Sequence, residues 1–349
     1  MIKIIIIQLV LFNLFYFIFK KFSLFNSFLD KDFTKLQGFH TQPTPRYGGI
    51  LIFICFMTAF LISQIDLSIY SILIFFLISN FCLGMVDDTK FIINPFLRFL
   101  LFFLINILLI IFFNLKIKEF DLFFLDYLNN HIFFSVLITF FCIFFVVNGS
   151  NLIDGFNGLL GIHALIILII FSLIINSQNN NELLNINLMI IASLFCFLFY
   201  NIPNGKIFLG DCGSFFIGTY ISILTIITYN QSNDISPFYF AIVIYYIFIE
   251  IFFSVFRKLF QKKNPFYPDR KHFHMLLYEI LKTKNMKFKN YNFMTSIIIN
   301  GFYLISVIPS FFIMQDSFFC KIYFFCLICL YIIFYFFLNH QLNQNEKKN

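Results

Sequence analysis

The chain has 349 residues, 60% of them hydrophobic and 12% charged, with a mean hydropathy of +0.88. So much apolar surface excludes a single water-soluble domain, because too few charges remain to cover its core, and it points to an integral membrane protein. The formal net charge of +7 favours anionic headgroups, lipid phosphates and nucleotides, and no nucleic-acid partner is expected.

Eleven apolar stretches approach the length of about 20 residues that a spanning helix needs, near 2–19, 47–64, 68–86, 96–113, 131–147, 158–176, 187–201, 213–229, 237–256, 293–314 and 318–338. The first lacks a strongly basic start and a small-residue cleavage site, so it reads as a span and not a signal peptide. The pattern predicts an all-α, polytopic protein with one transmembrane catalytic domain over 1–338 and a polar cytoplasmic tail over 339–349. Sixty Phe beside no Trp reads as compositional bias, and no function is drawn from it. The eight Cys lie almost all in apolar runs, where a thiol packs as a small hydrophobe, and Cys326-Leu-Ile-Cys329 is read the same way despite its redox spacing.

Basic loops stay cytoplasmic. With the N-terminus outside and the C-terminus inside, 20 of the 24 Lys and Arg fall at the inner face, and Lys3, Lys116, Lys118 and Lys321 fall outside. The same assignment brings five loops to the inner face: Lys20–Arg46 running into Tyr47-Gly-Gly49, Asp87–Lys90, Asn148–Gly158, Asn201–Ser214, and the basic loop Arg257–Asn292. The outer loops 114–130, 177–186 and 230–236 carry no comparable constellation.

Three inner clusters carry acids. Asp87 and Asp88 end a span, where two adjacent carboxylates call for a cation or water, although a helix stop with solvated charges explains them equally well. Asn148, Asn151, Asp154 and Asn157 recur every three residues with glycines between, as a polar turn or as a place where the backbone approaches a ligand. Phe208-Leu-Gly-Asp-Cys-Gly-Ser214 sets Asp211 near a helix N-terminus, where capping alone accounts for it and phosphate binding also suits. In the basic loop, His272 and His274 follow Asp269 and Arg270. No Cys or third nearby His completes a zinc set, so the imidazoles read as anion partners or as surface residues. Neither a Walker-type loop nor a nucleophilic serine elbow is present. An oxygen-rich, Mg²⁺-compatible set within a membrane, ringed by basic residues, fits phosphoryl transfer to a lipid carrier.

Pro43-Thr-Pro-Arg-Tyr-Gly-Gly49, Asp87-Asp88, Asn148-x-x-Asn151-x-x-Asp154-Gly155-x-x-Gly158, Gly210-Asp211-x-Gly213-Ser214 and His272-x-His274 together resemble the polyprenyl-phosphate N-acetylhexosamine-1-phosphate transferases. These motifs run in order from about residue 40 to 275. The resemblance implies transfer of a sugar-1-phosphate from a UDP-N-acetylhexosamine to undecaprenyl or another polyprenyl phosphate, with release of UMP and with Mg²⁺, or Mn²⁺ in its place. It implies a bacterial inner-membrane enzyme whose active site faces the cytoplasm, in contact with membrane lipids and compatible with a homodimer. Carried over, Asp87 is the base or orienting group for the lipid phosphate, Asp88 sits beside the metal, and Asp211 is the Mg²⁺ ligand. Asn151, Asp154, Asn157 and Asn201 border the nucleotide, Phe208 stacks on uracil, and Arg270, His272 and His274 contact phosphates or sugar. Asn157 departs from the usual Asp, Met275 replaces a further His, and Gln42 replaces a base whose charge His40 or Arg46 then supplies. The Met275 departure, with no His-His-His-x-Glu signature and with Pro268-Asp-Arg270, favours the undecaprenyl-phosphate GlcNAc-1-phosphate branch, which starts O-antigen and similar surface polymers, over the phospho-MurNAc-pentapeptide translocases. A rival of another class is a lipid-linked sugar transporter or flippase, disfavoured because the acids cluster at one face and no inverted repeat is evident.

Overall fold

The computed structural model describes residues 1–22, 29–30, 43–89, 94–264, 267, 269–283 and 290–346. Fourteen α-helices build it: α1 (Ile2–Phe22), α2 (Gly48–Ile62), α3 (Leu67–Asp88), α4 (Pro95–Phe112), α5 (Phe123–Asn129), α6 (Ile132–Ile153), α7 (Leu159–Ser177), α8 (Asn181–Asn201), α9 (Gly210–Gln231), α10 (Pro237–Val243), α11 (Tyr245–Phe260), α12 (Phe273–Thr283), α13 (Tyr291–Val307) and α14 (Ser317–Glu346). A two-residue antiparallel ladder, Leu29–Asp30 with Thr44–Pro45, precedes α2. Among the described residues nine helices, α13 counted with the 3-10 turn Ile308–Ile313, are long and apolar enough to cross a membrane, and the pair α10 and α11 makes a tenth. The remaining apolar segment is α2, at 15 residues. All eleven segments predicted from the sequence are therefore helical, and the protein is an all-α, polytopic membrane protein.

Local chemistry sets the helix starts. The Asn94 side chain accepts the Phe96 N–H and Pro95 occupies the first turn of α4; Ser236 and Pro237 do the same for α10. Around the periphery, α1, α4 and α14 leave large apolar side chains exposed, among them Leu104, Leu108, Ile333 and Phe337, as helices solvated by lipid do. Cys326 and Cys329 are free thiols on the exposed side of α14.

The centre is α9, which is buried along nearly its whole length and packs against α3, α6, α2 and α7. Gly213, Ser214, Gly218, Thr219 and Ser222 are all buried on it, and such small residues let neighbouring backbones close in. Buried amides tie the helices together within the apolar interior. Asn80 and Asn106 exchange reciprocal hydrogen bonds of 3.1 and 3.0 Å between α3 and α4, and Asn187 accepts from Tyr220 at 3.0 Å while donating to Ser172 at 2.8 Å. Each such contact contributes about 0.6–2 kcal/mol.

Three predicted boundaries differ. The first is α6, which runs on through Ile153, so Asn148 and Asn151 lie on a helix and not in a turn. The second is α14, which continues past position 338 to Glu346. The third is the stretch 237–256, which is not one straight span, because α10 and α11 meet at a 78° bend. The Tyr303 hydroxyl of α13 donates to the Val243 carbonyl at that bend, so a backbone group freed by the break is still satisfied.

Helix ends sort into two groups. Tyr70 meets Asn180 at 3.1 Å, Asn230 donates to the Lys116 carbonyl at 2.6 Å, and Lys321 pairs with Asp121 at 3.0 Å, which joins the loops expected outside. The C-terminal ends of α3, α6 and α8 meet the N-terminal ends of α2, α7 and α9 at the opposite end.

Candidate functional site

The first turn of α9 exposes backbone N–H groups that its own residues do not cap, since Leu209 contributes no side-chain bond. Asp88, at the end of α3, supplies the cap. Its two carboxylate oxygens accept the Asp211 N–H at 3.0 Å and the Cys212 N–H at 2.8 Å. A carboxylate at a helix C-terminus opposes that helix's dipole, and here the N-terminal dipole of α9 offsets it. Gly210, at φ +79°, is required at this point, because a Cβ would stand 2.8 Å from the Arg46 carbonyl oxygen and from Asp88 Oδ2. The sequence marked Asp211 as the capping candidate; the cap is Asp88.

Asp211 is thus released from capping. Its Oδ1 accepts from Asn151 Nδ2 at 3.0 Å, and the same amide also donates to Ser214 Oγ at 3.1 Å. Asn148, one turn earlier, folds back on its own helix to the Phe144 carbonyl at 2.9 Å. Asp154 closes α6 just beyond these residues. Burial pushes its carboxyl well above the usual carboxylate range, with Asp211 and Asp88 adding to the push and Arg46 opposing it. Asp87 pairs with Arg98 of α4, its Oδ2 lying 2.9 Å from the guanidinium, with Asp87 12% and Arg98 40% exposed. Arg98 was read from the sequence only as a topology signal.

The residues expected to border a nucleotide hold two loops together. Asn201 accepts the Gly158 N–H at 2.6 Å and donates to the Ile207 carbonyl at 2.8 Å, so both ends of its amide are engaged. Asn157 donates to the Pro203 carbonyl at 3.0 Å, and its own N–H is accepted by Asn292 at 2.6 Å. Phe208 pairs its backbone with Pro45 and Gly48 at 2.8 and 2.9 Å, fastening the start of α2 to the turn before α9. His40 lies outside the described residues.

A second polar cluster adjoins the first through the 154–158 turn. His272 and His274 are buried with rings stacked at 5.6 Å and 8°, and His274 meets Phe156 edge-on at 5.4 Å. Between them lies Glu250 of α11, 1% exposed, with Oε1 3.3 Å from His274 Nδ1 and 3.7 Å from His272 Nδ1. The sequence reading missed Glu250, although a lone acid within an apolar segment is a signal it could have used. Asp269 is held by Arg257 through contacts of 2.7 and 3.1 Å; burial raises its carboxyl, but that guanidinium prevails and holds it below the usual range. Burial pushes the His272 imidazole down to about 4, against the opposing pull of Glu250. Arg270 is exposed beside this cluster.

Among the described residues no three His, Cys, Asp or Glu side chains converge as a metal cage. A Mg²⁺ ion shared between one carboxylate and a substrate's phosphates would need no such cage. The metal-side place expected for Asp88 competes with the cap that occupies both of its oxygens.

The sequence profile of glycosyl transferase family 4 matches residues 69–229. A probable undecaprenyl-phosphate N-acetylglucosaminyl 1-phosphate transferase of Bacillus subtilis is 30% identical over 242 residues, 67% of this chain and 66% of the relative. An undecaprenyl-phosphate alpha-N-acetylglucosaminyl 1-phosphate transferase of Thermotoga maritima is 36% identical over 129 residues, 37% of this chain and 38% of the relative. A phospho-N-acetylmuramoyl-pentapeptide-transferase of Dictyoglomus turgidum is 32% identical over 231 residues, 63% of this chain and 71% of the relative. The chain thus spans just under two thirds of the Bacillus protein and well under half of the Thermotoga protein.

Proposed function

The chain belongs to glycosyl transferase family 4, and on that premise we propose that it transfers an N-acetylhexosamine-1-phosphate, GlcNAc-1-phosphate foremost, from a UDP-sugar to undecaprenyl or another polyprenyl phosphate. UMP is released and a lipid-linked glycan of the cell envelope is begun at the cytoplasmic face of a bacterial inner membrane. The observation that carries this reading is the gathering of Asp87 and Asp88 of α3, Asp154 at the end of α6 and Asp211 of α9, with Arg98 and Arg46 beside them, at one end of the bundle.

In this reading an oxygen of the lipid phosphate attacks the sugar-bearing phosphorus of the UDP-sugar, and one phosphoanhydride forms as the bond to UMP breaks. Asp87 orients the incoming phosphate or takes its proton, and Arg98, already on Asp87, offers the guanidinium that an anionic headgroup needs. Asp88 fixes the start of α9 and so aims Asp211, while Asn151 and Ser214 steady that carboxylate. Asp211 is the group to hold Mg²⁺ or Mn²⁺, which when bound neutralises charge on the diphosphate. Asn157 and Asn201 shape the loop that borders the nucleotide, Phe208 offers a ring to uracil, and His272, His274, Arg270 and Arg46 face anionic oxygens.

A second reading keeps the chemistry and changes the sugar. It is favoured by the Dictyoglomus turgidum relative, of which the chain covers 71%. Purified protein given polyprenyl phosphate, Mg²⁺ and either UDP-GlcNAc or UDP-MurNAc-pentapeptide decides between them by UMP release. Turnover with UDP-GlcNAc is expected; turnover with UDP-MurNAc-pentapeptide alone favours the second reading, and none with any UDP-amino sugar rejects both.

A further inference from the structure

Between Asp234 and Asp269 the chain carries a single acid, Glu250, and the fold buries it. Such a carboxylate is tolerated only when its oxygens are answered. Oε2 accepts the Tyr331 hydroxyl of α14, and Oε1 accepts the Phe273 N–H at 2.9 Å. Oε1 also faces His274 Nδ1 at 3.3 Å. One turn beyond Tyr331, Tyr335 donates to the Lys271 carbonyl at 3.1 Å, so the last helix secures the histidine segment at two points.

Neither ring nitrogen of His274 makes a hydrogen bond in its fully buried side chain: Nδ1 stands 3.3 Å from Glu250 Oε1, and Nε2 has no hydrogen-bond partner. A Cβ on Gly155 would stand 4.0 Å from that Nε2, which places it against the turn that follows Asp154. A nitrogen beside a carboxylate carries the proton, so Nδ1–H faces Glu250 and Nε2 is left open toward the turn.

We infer that Glu250 is a positioning residue: held by Tyr331 and Phe273, it fixes the His274 tautomer and aims Nε2 at the Asp154–Phe156 turn, to meet an anionic oxygen of the phosphate substrate. This rests on the transferase reading above for the substrate, but not for the tautomer. Glu250 acts through His274 and touches no substrate itself. The last span, through Tyr331, thereby belongs to the working parts of the enzyme.

Two measurements on the full-length protein test it. Imidazole-¹⁵N NMR, with His274 assigned by the signal lost in His274→Gln, should show the Nδ1–H form. The Nε2–H form overturns the proposal. In UMP-release assays, Glu250→Gln should lower kcat about 10- to 100-fold with little change in KM, Glu250→Asp should recover part of the loss, and Glu250→Gln should cost nothing further in the His274→Gln background. Losses that multiply in the double variant overturn it, as does a Glu250→Gln effect confined to the yield of folded protein. A wild-type chain that releases no UMP rejects the transferase reading, and the tautomer then decides the role of Glu250.

Discussion

Burial, with Asp211 and Asp88 beside it, raises the Asp154 carboxyl, so its ionisation is expected to weaken the fold as pH rises. A carboxyl raised on folding contributes stability that is complete below its unfolded value of about 3.9 and is lost as pH rises through the folded value. Asp154→Asn removes that loss. Thermal unfolding in detergent should show a higher Tm for the variant at pH 7 and no difference near pH 4, whereas a lower Tm at pH 7 contradicts the assignment. Asp211→Asn should behave differently, because the amide oxygen still accepts from Asn151 while the charge is gone. UMP release should fall ~100-fold or more, the Mg²⁺ needed for half-activity should rise, and the yield of folded protein should hold. The acids themselves were legible in the sequence, since a charge at the edge of an apolar run has few reasons to be there. Their partners were not. That Asp88 caps α9 follows from which helix ends meet, and Arg98 looked like one more inner-face cation until α4 was seen beside α3. Glu250 has no local signature beyond its charge, because its histidine partners lie 22 and 24 residues downstream across a loop with no periodic signal.

The helices reach this arrangement by close backbone contact where glycine permits it. A Cβ on Gly84 would stand 2.5 Å from the Asp211 carbonyl oxygen and 2.7 Å from Cys212 Cα. Both are backbone atoms and cannot rotate away, so Gly84→Ala must push α3 off α9 and carry Asp88 from its cap. Overpacking of this kind costs about 1–3 kcal/mol. A lowered Tm with reduced UMP release is expected, while Gly301→Ala, with nothing within 4 Å, serves as a neutral or slightly stabilising control. Equal Tm values for the two variants contradict the contact. The eleven apolar segments were legible because lipid as solvent demands long apolar runs. The end of α6 was not, since the helix runs on through Asn148 and Asn151, whose amides bond its own backbone and α9. The bend between α10 and α11 was hidden too: the sequence there is Val243-Ile-Tyr-Tyr246, with neither Pro nor Gly, and the freed carbonyl is answered by Tyr303, 60 residues away.

Among the described residues, the ends of α3, α6 and α8 gather with the starts of α2, α7 and α9 at one end of the bundle, and Tyr70, Asn180, Asn230 and Lys116 lie at the other. On a Cys-free background, Lys271→Cys should label from the cytoplasm and Asn180→Cys from the outside; labelling of both from one side overturns the orientation and the cytoplasmic site with it. The chemistry performed at the Asp87–Asp211 end separates a transferase from a hydrolase or a flippase. Transfer of sugar-1-phosphate from UMP to a lipid phosphate breaks one phosphoanhydride and forms another with nearly the same charge repulsion. The equilibrium constant should therefore lie within roughly a factor of ten of one, about 1.4 kcal/mol. A hydrolase releases free sugar phosphate irreversibly, and a flippase makes no covalent product. The most direct measurement supplies the protein with its lipid pyrophosphate-linked sugar, Mg²⁺ and radiolabelled UMP. Label should enter UDP-sugar, and Asp87, Asp88 and Asp211 substitutions should slow the forward and reverse rates by the same factor. Forward synthesis without any UMP-dependent reversal, product in excess, would contradict the account.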